Sequence, residues 1–261
     1  MRVKRIGVLT SGGDAPGMNA AIRAVVRTSM SLGMSVVGFK RGYNGPLMRS
    51  PDQREDFEIL TASSVSNRIH RGGTFLRTAR CTAFKEADVR RAAVNNLREL
   101  GVDALVVIGG DGSYKGALAL CKLGIPCVGI PGTIDNDISC SHYTIGFDTA
   151  MQTVVENVDR LRDTCESHAR LNVIEVMGRD CGQIALYAAI ATGAVAVAVP
   201  EVPFDEAAAI AKIKALKAEG KRNFIVTVSE GLGTYGEDLA KKIQAETEVE
   251  TKFARLAHVV R

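Results

Sequence analysis

The residues of this chain that could do chemistry gather in short runs rich in glycine and aspartate. Two such runs are Ser11-Gly12-Gly13-Asp14 and Gly109-Gly110-Asp111-Gly112-Ser113. Glycine lets main-chain N–H groups close on phosphate oxygens, and a helix starting there adds partial positive charge. Taken singly, each run also reads as a tight turn. Neither is a Walker loop, since no Gly-Lys-Ser/Thr follows, and neither has the spaced glycines of a dinucleotide site. Asp111 reads as a helix cap, or as the carboxylate that holds Mg²⁺ together with phosphate oxygens and water; its flanking glycines favour the second. Thr133-Ile134-Asp135-Asn136-Asp137 places two carboxylates on one side of an extended segment. One of them can accept the proton of a hydroxyl that attacks phosphorus; a cluster of Asx turns is the plainer alternative. Arg71, Arg77, Arg80, Arg162, Arg170 and Arg179 stand near loops, and guanidinium forks suit phosphate. Arg179 is set apart by its place between Gly178 and Asp180. Glu230, in Ser-Glu-Gly, is a candidate for sugar hydroxyls. His258 is either a ligand-binding or a buried structural histidine.

These runs need a frame of strand, loop and helix to hold them. Residues 5–10 form an apolar strand, and 18–32 carry helical spacing (Met18, Ile22, Val25, Val26, Met30) that stops at Gly33. A strand follows at 35–39, and 40–80 read as loops around short elements. A helix is predicted at 86–100, a strand at 103–108, a helix at 114–123 and a strand at 127–130. The second half repeats the pattern: helix 147–164, strand 172–176, helix 183–192, strand 195–199, helix 204–219, strand 224–228 and helix 237–246. A last strand is expected within 249–260. Apolar strands separated by helices predict an α/β fold with parallel-rich sheets covered on both faces. In such sheets ligands bind beyond the carboxyl ends of strands, and every glycine- or aspartate-rich run here leaves such an end. A lobe boundary is expected near 135–145, where no apolar period runs, dividing the chain into 1–140 and 141–261.

Composition narrows the classes of function. With 33 Lys+Arg against 29 Asp+Glu, the net charge of +4 is too small for a polybasic nucleic-acid binder. Hydrophobic content of 46% and charged content of 24% fit a folded globular chain rather than a disordered one. The six cysteines form no CxxC pair and suit no zinc site; they read as reduced cytosolic thiols. The apolar run at 6–9 is too short for a signal peptide, and 185–199 is too short to span a bilayer. A soluble, cytoplasmic protein that engages neither nucleic acid nor membrane is expected. Two phosphate cradles, one metal carboxylate, one base and several arginines describe phosphoryl transfer between two phosphorylated small molecules.

At these residues the chain closely resembles the bacterial ATP-dependent 6-phosphofructokinases. The matching stretches are 6–21, Arg71-Gly-Gly-Thr74 with Thr78-Ala-Arg80, 105–114, Pro131-Gly-Thr-Ile-Asp-Asn-Asp137, Thr144-Ile-Gly-Phe147, 159–168 and Val176-Met-Gly-Arg179. They cover nearly all of the chain to about residue 182; beyond it the match is weaker. The resemblance implies the phosphofructokinase fold of two similar lobes, 1–140 binding ATP and 141–261 binding sugar phosphate. Gly13, Arg80, Cys81, Gly110, Asp111, Gly112 and Ser113 would contact ATP, with Asp111 holding Mg²⁺. Asp135 would take the proton from the C1 hydroxyl of fructose 6-phosphate, and Thr133 and Arg179 would stabilise the transferring phosphoryl group. Met177, Gly178, Glu230, His258 and Arg261 would hold the sugar phosphate, with two cations donated by a neighbouring subunit at the positions of Arg170 and Lys252, in a homotetramer. The product would be fructose 1,6-bisphosphate. Small Gly112 and Gly132, where pyrophosphate-using relatives carry Asp and Lys, favour ATP as donor.

The departures are informative. Lys252 stands where an arginine is expected. Arg23, Arg27, Arg162 and Lys221 match the phosphate-binding positions of an effector pocket, but Val195 replaces an acidic residue there and Glu219 a basic one. This predicts that ADP and phosphoenolpyruvate change the kinetics little. The chain ends at Arg261, where family members continue for several dozen residues, so a fragment or truncated product is expected. A kinase of the wider Gly-Gly-Asp-Gly group acting on NAD or a lipid is opposed by 131–137 and 177–179. A non-catalytic or truncated nucleotide- or sugar-phosphate-sensing homologue is opposed by Asp111, Asp135 and Arg179.

Overall fold

A computed structural model describes residues 3–261. It resolves into two compact units: residues up to Thr133 with Asp137–Gly146, and Ile134–Asn136 with Phe147–Arg261.

The first unit contains β1 (Arg5–Ser11), α1 (Met18–Ser31), β2 (Ser35–Phe39), β3 (Phe57–Leu60), α2 (Ala87–Glu99), β4 (Ala104–Gly109), α3 (Asp111–Lys122), β5 (Cys127–Thr133) and β6 (Ile145–Gly146). Its sheet has the order β3-β2-β1-β4-β5-β6. Every pairing is parallel except that of β2 with β3. Leu9, Val37, Phe39, Leu105 and Val107 from the strands pack with Val94, Leu97 and Leu120 from the helices. Central strands buried on both faces are what the near-continuous apolar runs require. Coverage fails beside β5: Val128 on β5 and Leu118 on α3 are exposed, beside an open cavity of about 480 Å³ lined by Tyr114, Cys121, Cys127 and Cys140 among others.

The second unit contains α4 (Phe147–His168), β7 (Leu171–Val176), α5 (Gln183–Thr192), β8 (Ala196–Ala198), α6 (Glu206–Ala218), β9 (Phe224–Ser229), α7 (Tyr235–Thr247) and β10 (Thr251–Arg255). Its four strands are all parallel, in the order β10-β7-β9-β8. Leu171, Val173, Val226 and Val228 meet Ile210, Ile213, Leu239 and Ile243 in its core.

Four expectations are corrected. Within 40–80 lies a strand, β3, whose antiparallel pairing with β2 no local period announced. The helix expected from residue 114 begins at Asp111, so Asp111, Gly112 and Ser113 form its first turn rather than a preceding loop. The strand expected to stop at residue 130 runs to Thr133, because Gly132 and Thr133 pair with Ile145 and Gly146. The last strand ends at Arg255. Ala257 takes a positive φ of 43°, and a short 3₁₀ turn closes Ala257–Val260. Among the described residues no cysteine forms a disulfide, no helix is long and apolar enough to cross a membrane, and no group of three or more His, Cys, Asp or Glu could hold a metal on protein ligands alone.

Leu105, the fully buried second residue of β4, tests the first core. Leu105→Ala is expected to cost about 2–5 kcal/mol, read as a lowered urea midpoint for the first unit's unfolding transition.

Candidate functional site

Each sheet contains one place where neighbouring parallel strands send their chains in opposite directions. In the first unit β1 leads through α1 to β2 on one side, and β4 leads through α3 to β5 on the other. In the second, β7 leads to β8 and the adjacent β9 leads to β10, again to opposite sides. The diverging connections leave a crevice at the carboxyl ends of the two strands, which is where such sheets take ligands. Many of the residues expected from the sequence fall at one or other of these crevices.

At the first crevice Ser11 ends β1 directly beside Gly109, its register partner on β4. A Cβ at Gly109 would lie 2.4 Å from both the Ser11 carbonyl oxygen and Ser113 Oγ, so only glycine permits this approach. Ser113 Oγ donates to the Ser11 carbonyl at 3.0 Å, and Tyr43 OH donates to the Ser113 carbonyl at 2.5 Å. The Tyr43 ring stacks on Phe84, 4.3 Å between centroids, and burial, with the nearby Cys127 and Cys121 thiols, pushes its phenol far above the ordinary range. Ser113 is buried; its hydroxyl is spent on fixing the first turn of α3 against β1. That leaves this hydroxyl committed to the protein rather than free for the nucleotide contact expected of it. In that turn Asp111 and Gly112 are exposed. A Cβ at Gly112 would meet no atom within 4 Å, so the space over the helix N-terminus is open. Gly132 differs: a Cβ there would sit 2.8 Å from Ile108 Cγ2, so its smallness serves packing first.

Asp111 pairs with Lys115 one turn on, at 2.7 Å. An Mg²⁺ ion here would find one protein carboxylate. One exposed carboxylate at a helix N-terminus with open space above it fits an ion that keeps most of its waters and takes its other oxygens from phosphate.

The loop after β1 is clasped by a segment that local pattern did not single out as structured. Thr78 Oγ1 donates to Gly12 O at 2.6 Å. Thr10 Oγ1 donates to Arg77 O at 3.1 Å and meets Thr74 Oγ1 at 2.8 Å. Asn19 Nδ2 donates to Arg71 O and Gly72 O, and its Oδ1 accepts from Phe75 N at 2.9 Å. These bonds hold residues 71–78 against the cradle and bring exposed Arg80 and half-buried Cys81 to the same unit as Gly13, which is also exposed.

At the second crevice Val176, ending β7, pairs with Ser229, ending β9. Buried Met177 and Gly178 follow, then exposed Arg179. Glu230, expected to meet sugar hydroxyls, uses Oε1 to accept from both Gly178 N (3.1 Å) and Arg179 N (2.8 Å). This pair of hydrogen bonds spans Arg179 at φ +54°, a left-handed conformation uncommon for residues other than glycine. Gly178 has φ +145°, and a Cβ at Gly231 would lie 2.3 Å from the Arg179 carbonyl oxygen. The turn is thus gripped from two sides. Leu256 N donates to Glu175 O at 3.0 Å, which seats the final 3₁₀ turn, with exposed His258 and half-buried Arg261, beside the end of β7. Asp135 is 6% exposed and also belongs to the second unit. Its neighbour Asn136 has φ +54° and donates to Gln183 Oε1 at 2.7 Å. Thr133 ends β5 in the first unit.

Arg170 and Lys252 lie elsewhere. Arg170 precedes β7, and Lys252 is the second residue of β10, opposite Asn172, so both occupy the amino edge of this sheet. Met177 stands seven positions after Arg170, about 23 Å of extended strand, which an arginine side chain does not cross. Of the effector candidates, Arg23 and Arg27 stand one turn apart on α1. Arg162 donates through Nη2 to the Thr192 carbonyl, capping α5, and Lys221 lies over the Phe224 ring at 6.0 Å. Val195 is buried in the second core, and Glu219 caps the end of α6.

The fold and these edges define an α/β phosphate-binding protein with a ligand crevice in each unit. A family model described as "Phosphofructokinase" matches residues 5–261. The chain is 53% identical over 259 residues to the "ATP-dependent 6-phosphofructokinase 1" of Clostridium perfringens, covering 99% of this chain and 79% of that one. It is 50% identical, with the same coverage, to the ATP-dependent 6-phosphofructokinase of Bacillus subtilis. Among solved structures, phosphofructokinase from Saccharomyces cerevisiae superposes with a TM-score of 0.90 at 38% identity, over 99% of this chain and 38% of the yeast chain. The chain belongs to the phosphofructokinase family.

Hydrogen exchange tests the grip of Glu230. Hydrogen bonds to a charged acceptor contribute about 1.5–3 kcal/mol each. In Glu230→Ala the amides of Gly178 and Arg179 should therefore lose protection by about tenfold or more, while those of β7 are unchanged.

Proposed function

We propose that the chain is an ATP-dependent 6-phosphofructokinase, moving the γ-phosphoryl group of ATP to the C1 hydroxyl of fructose 6-phosphate. The observation that carries this reading is the pair of carboxyl-edge crevices. One is lined by exposed amides and a single carboxylate, the other by a constrained arginine. Family membership and the names of the bacterial relatives support the same assignment.

In this reading ATP lies over the first crevice, met by Gly13, Arg80, Cys81 and the first turn of α3, Gly110 to Ser113. The open space over Gly112 admits a nucleotide rather than pyrophosphate alone. Asp111 would hold Mg²⁺ together with phosphate oxygens and water, and the ion would supply neutralisation of the nucleotide's phosphate charge. Met177, Gly178, Arg179, His258 and Arg261 receive the sugar phosphate, and Glu230 acts mainly by fixing the turn that aims Arg179. Asp135 accepts the C1 hydroxyl proton as that oxygen attacks phosphorus, and Thr133 and Arg179 stabilise the transferring group.

Arg170 and Lys252, on the opposite sheet edge of their own subunit, serve the sugar phosphate of a neighbour. This makes a homo-oligomer with shared sites, a homotetramer, the working form. The engagement of Arg162 with α5 and the presence of Val195 and Glu219 support weak control by ADP and phosphoenolpyruvate. A cytoplasmic location completes the reading.

A coupled assay with ATP, Mg²⁺ and fructose 6-phosphate tests the activity; nucleotide binding without turnover would favour the sensor instead. Asp135→Ser should lower kcat by about 10²–10⁴-fold with fructose 6-phosphate affinity little changed. Near-normal turnover would remove Asp135 from the base's role. Shared sites have their own test. Arg170→Ala and Arg179→Ala should each be poorly active, and co-refolded mixtures should regain a measurable fraction of activity, because some sites then draw both intact arginines from different subunits. No recovery would rule out sharing.

A further inference from the structure

One carboxylate joins the two cations at the amino edge of the second sheet. Glu250 immediately precedes β10, and its carbonyl accepts from Leu171 N at 3.0 Å, so its backbone is fixed to the start of β7. Its Oε2 lies 2.7 Å from Arg170 Nε and its Oε1 3.0 Å from Lys252 Nζ. Each carboxylate oxygen thus faces a different cation. The arginine meets Glu250 only as an ion pair at its buried Nε, without hydrogen-bond geometry, which leaves the four N–H groups of its terminal nitrogens for another partner. Glu250 and Lys252 are both well exposed, at 44% and 57% of their side-chain surface, and Arg170 is 26% exposed. The Arg170 guanidinium, and then the Lys252 ammonium, hold the Glu250 carboxyl down at about 2, so it remains anionic across the physiological range.

Resting on the reading that Arg170 and Lys252 bind a neighbour's sugar phosphate, we infer that Glu250 is an internal competitor for that phosphate, setting how tightly the cation pair takes it. The trio carries a net charge of +1, whereas the pair without Glu250 would carry +2. An incoming phosphate monoester faces a fixed like charge and must share or displace the carboxylate to reach both cations. Exposed pairs of this kind are weak, which makes the competition a matter of tuning rather than blockade. A lysine at 252 accentuates it, because a point charge has no second fork to offer the phosphate while it keeps Glu250.

The test uses the assembled full chain and calorimetry with fructose 6-phosphate, and with inorganic phosphate in parallel. Glu250→Gln, which keeps the shape and loses the charge, should bind both ligands about two- to tenfold more tightly than the parent. Glu250→Asp should keep a wild-type affinity. In an Arg170→Ala/Lys252→Ala background the gain from Glu250→Gln should vanish, as a double-mutant cycle requires of groups acting through one another. Unchanged or weakened binding in Glu250→Gln, or a gain that persists without the two cations, would overturn the proposal. Failure of the functional reading looks different: fructose 6-phosphate is then neither bound nor turned over by the parent, while the inorganic phosphate comparison still decides the role of Glu250.

Discussion

A parallel sheet has two unlike edges, and a residue on one cannot serve the other. Carboxyl ends gather on one side, where the following loop turns into a helix; amino ends gather on the opposite side, a full strand length away. In the second unit all four strands obey this polarity. It divides the cations of one subunit into two groups, Arg179 and Arg261 with the carboxyl ends, Arg170 and Lys252 with the amino ends. No side-chain rearrangement within the unit reunites them. Strand direction alone therefore keeps Arg170 and Lys252 from meeting the same ligand as Arg179 within one unit.

At the carboxyl edges themselves, precision comes from backbone approaches that only glycine allows. Gly109 lets β1, β4 and the start of α3 close to within a distance that a methyl group would forbid, and Gly231 does the same for the Arg179 turn. In both places a side chain then locks the approach: Ser113 Oγ on the Ser11 carbonyl, and Glu230 on two successive amides. The hydroxyl and carboxylate that look most like ligand-binding groups are used to shape main chain. What stays exposed beside them is Asp111 and Gly112 in one crevice and Arg179 in the other.

This division explains what could be read from the sequence. The strand and helix alternation was legible because burial on both faces writes unbroken apolar runs, and glycine runs after strands marked the crevices. The start of α3 was misplaced because glycines at 110 and 112 depress helix propensity, while tertiary bonds from Ser113 and Tyr43 impose the helix anyway. β3 was missed because its four residues carry no period and exist through pairing with β2. Glu230 was legible as important but not as structural, since its partners are amides 51 and 52 residues away. Glu250 carried no signal at all; only the parallel pairing of β10 with β7 sets it between Arg170 and Lys252.

Electrostatics gives the arrangement its logic. Phosphoryl transfer to a sugar phosphate joins two anions, and two like unit charges 4 Å apart repel by about 4 kcal/mol at an effective dielectric of 20. Several cations are needed to offset that repulsion. A surface that collected them permanently in one crevice would repel itself in the empty protein, and it would bind any stray anion. The chain instead keeps Asp111 against Lys115 and Glu250 against Arg170 and Lys252. Each functional charge thus rests in an exposed, weak pair until a ligand offers a better one. Such pairs cost little to open, so the cations are both tolerated in the free state and available in the bound one. The second set stands on the far edge of the sheet, a full strand length from Arg179, so one unit alone cannot gather all of these cations around a single phosphate.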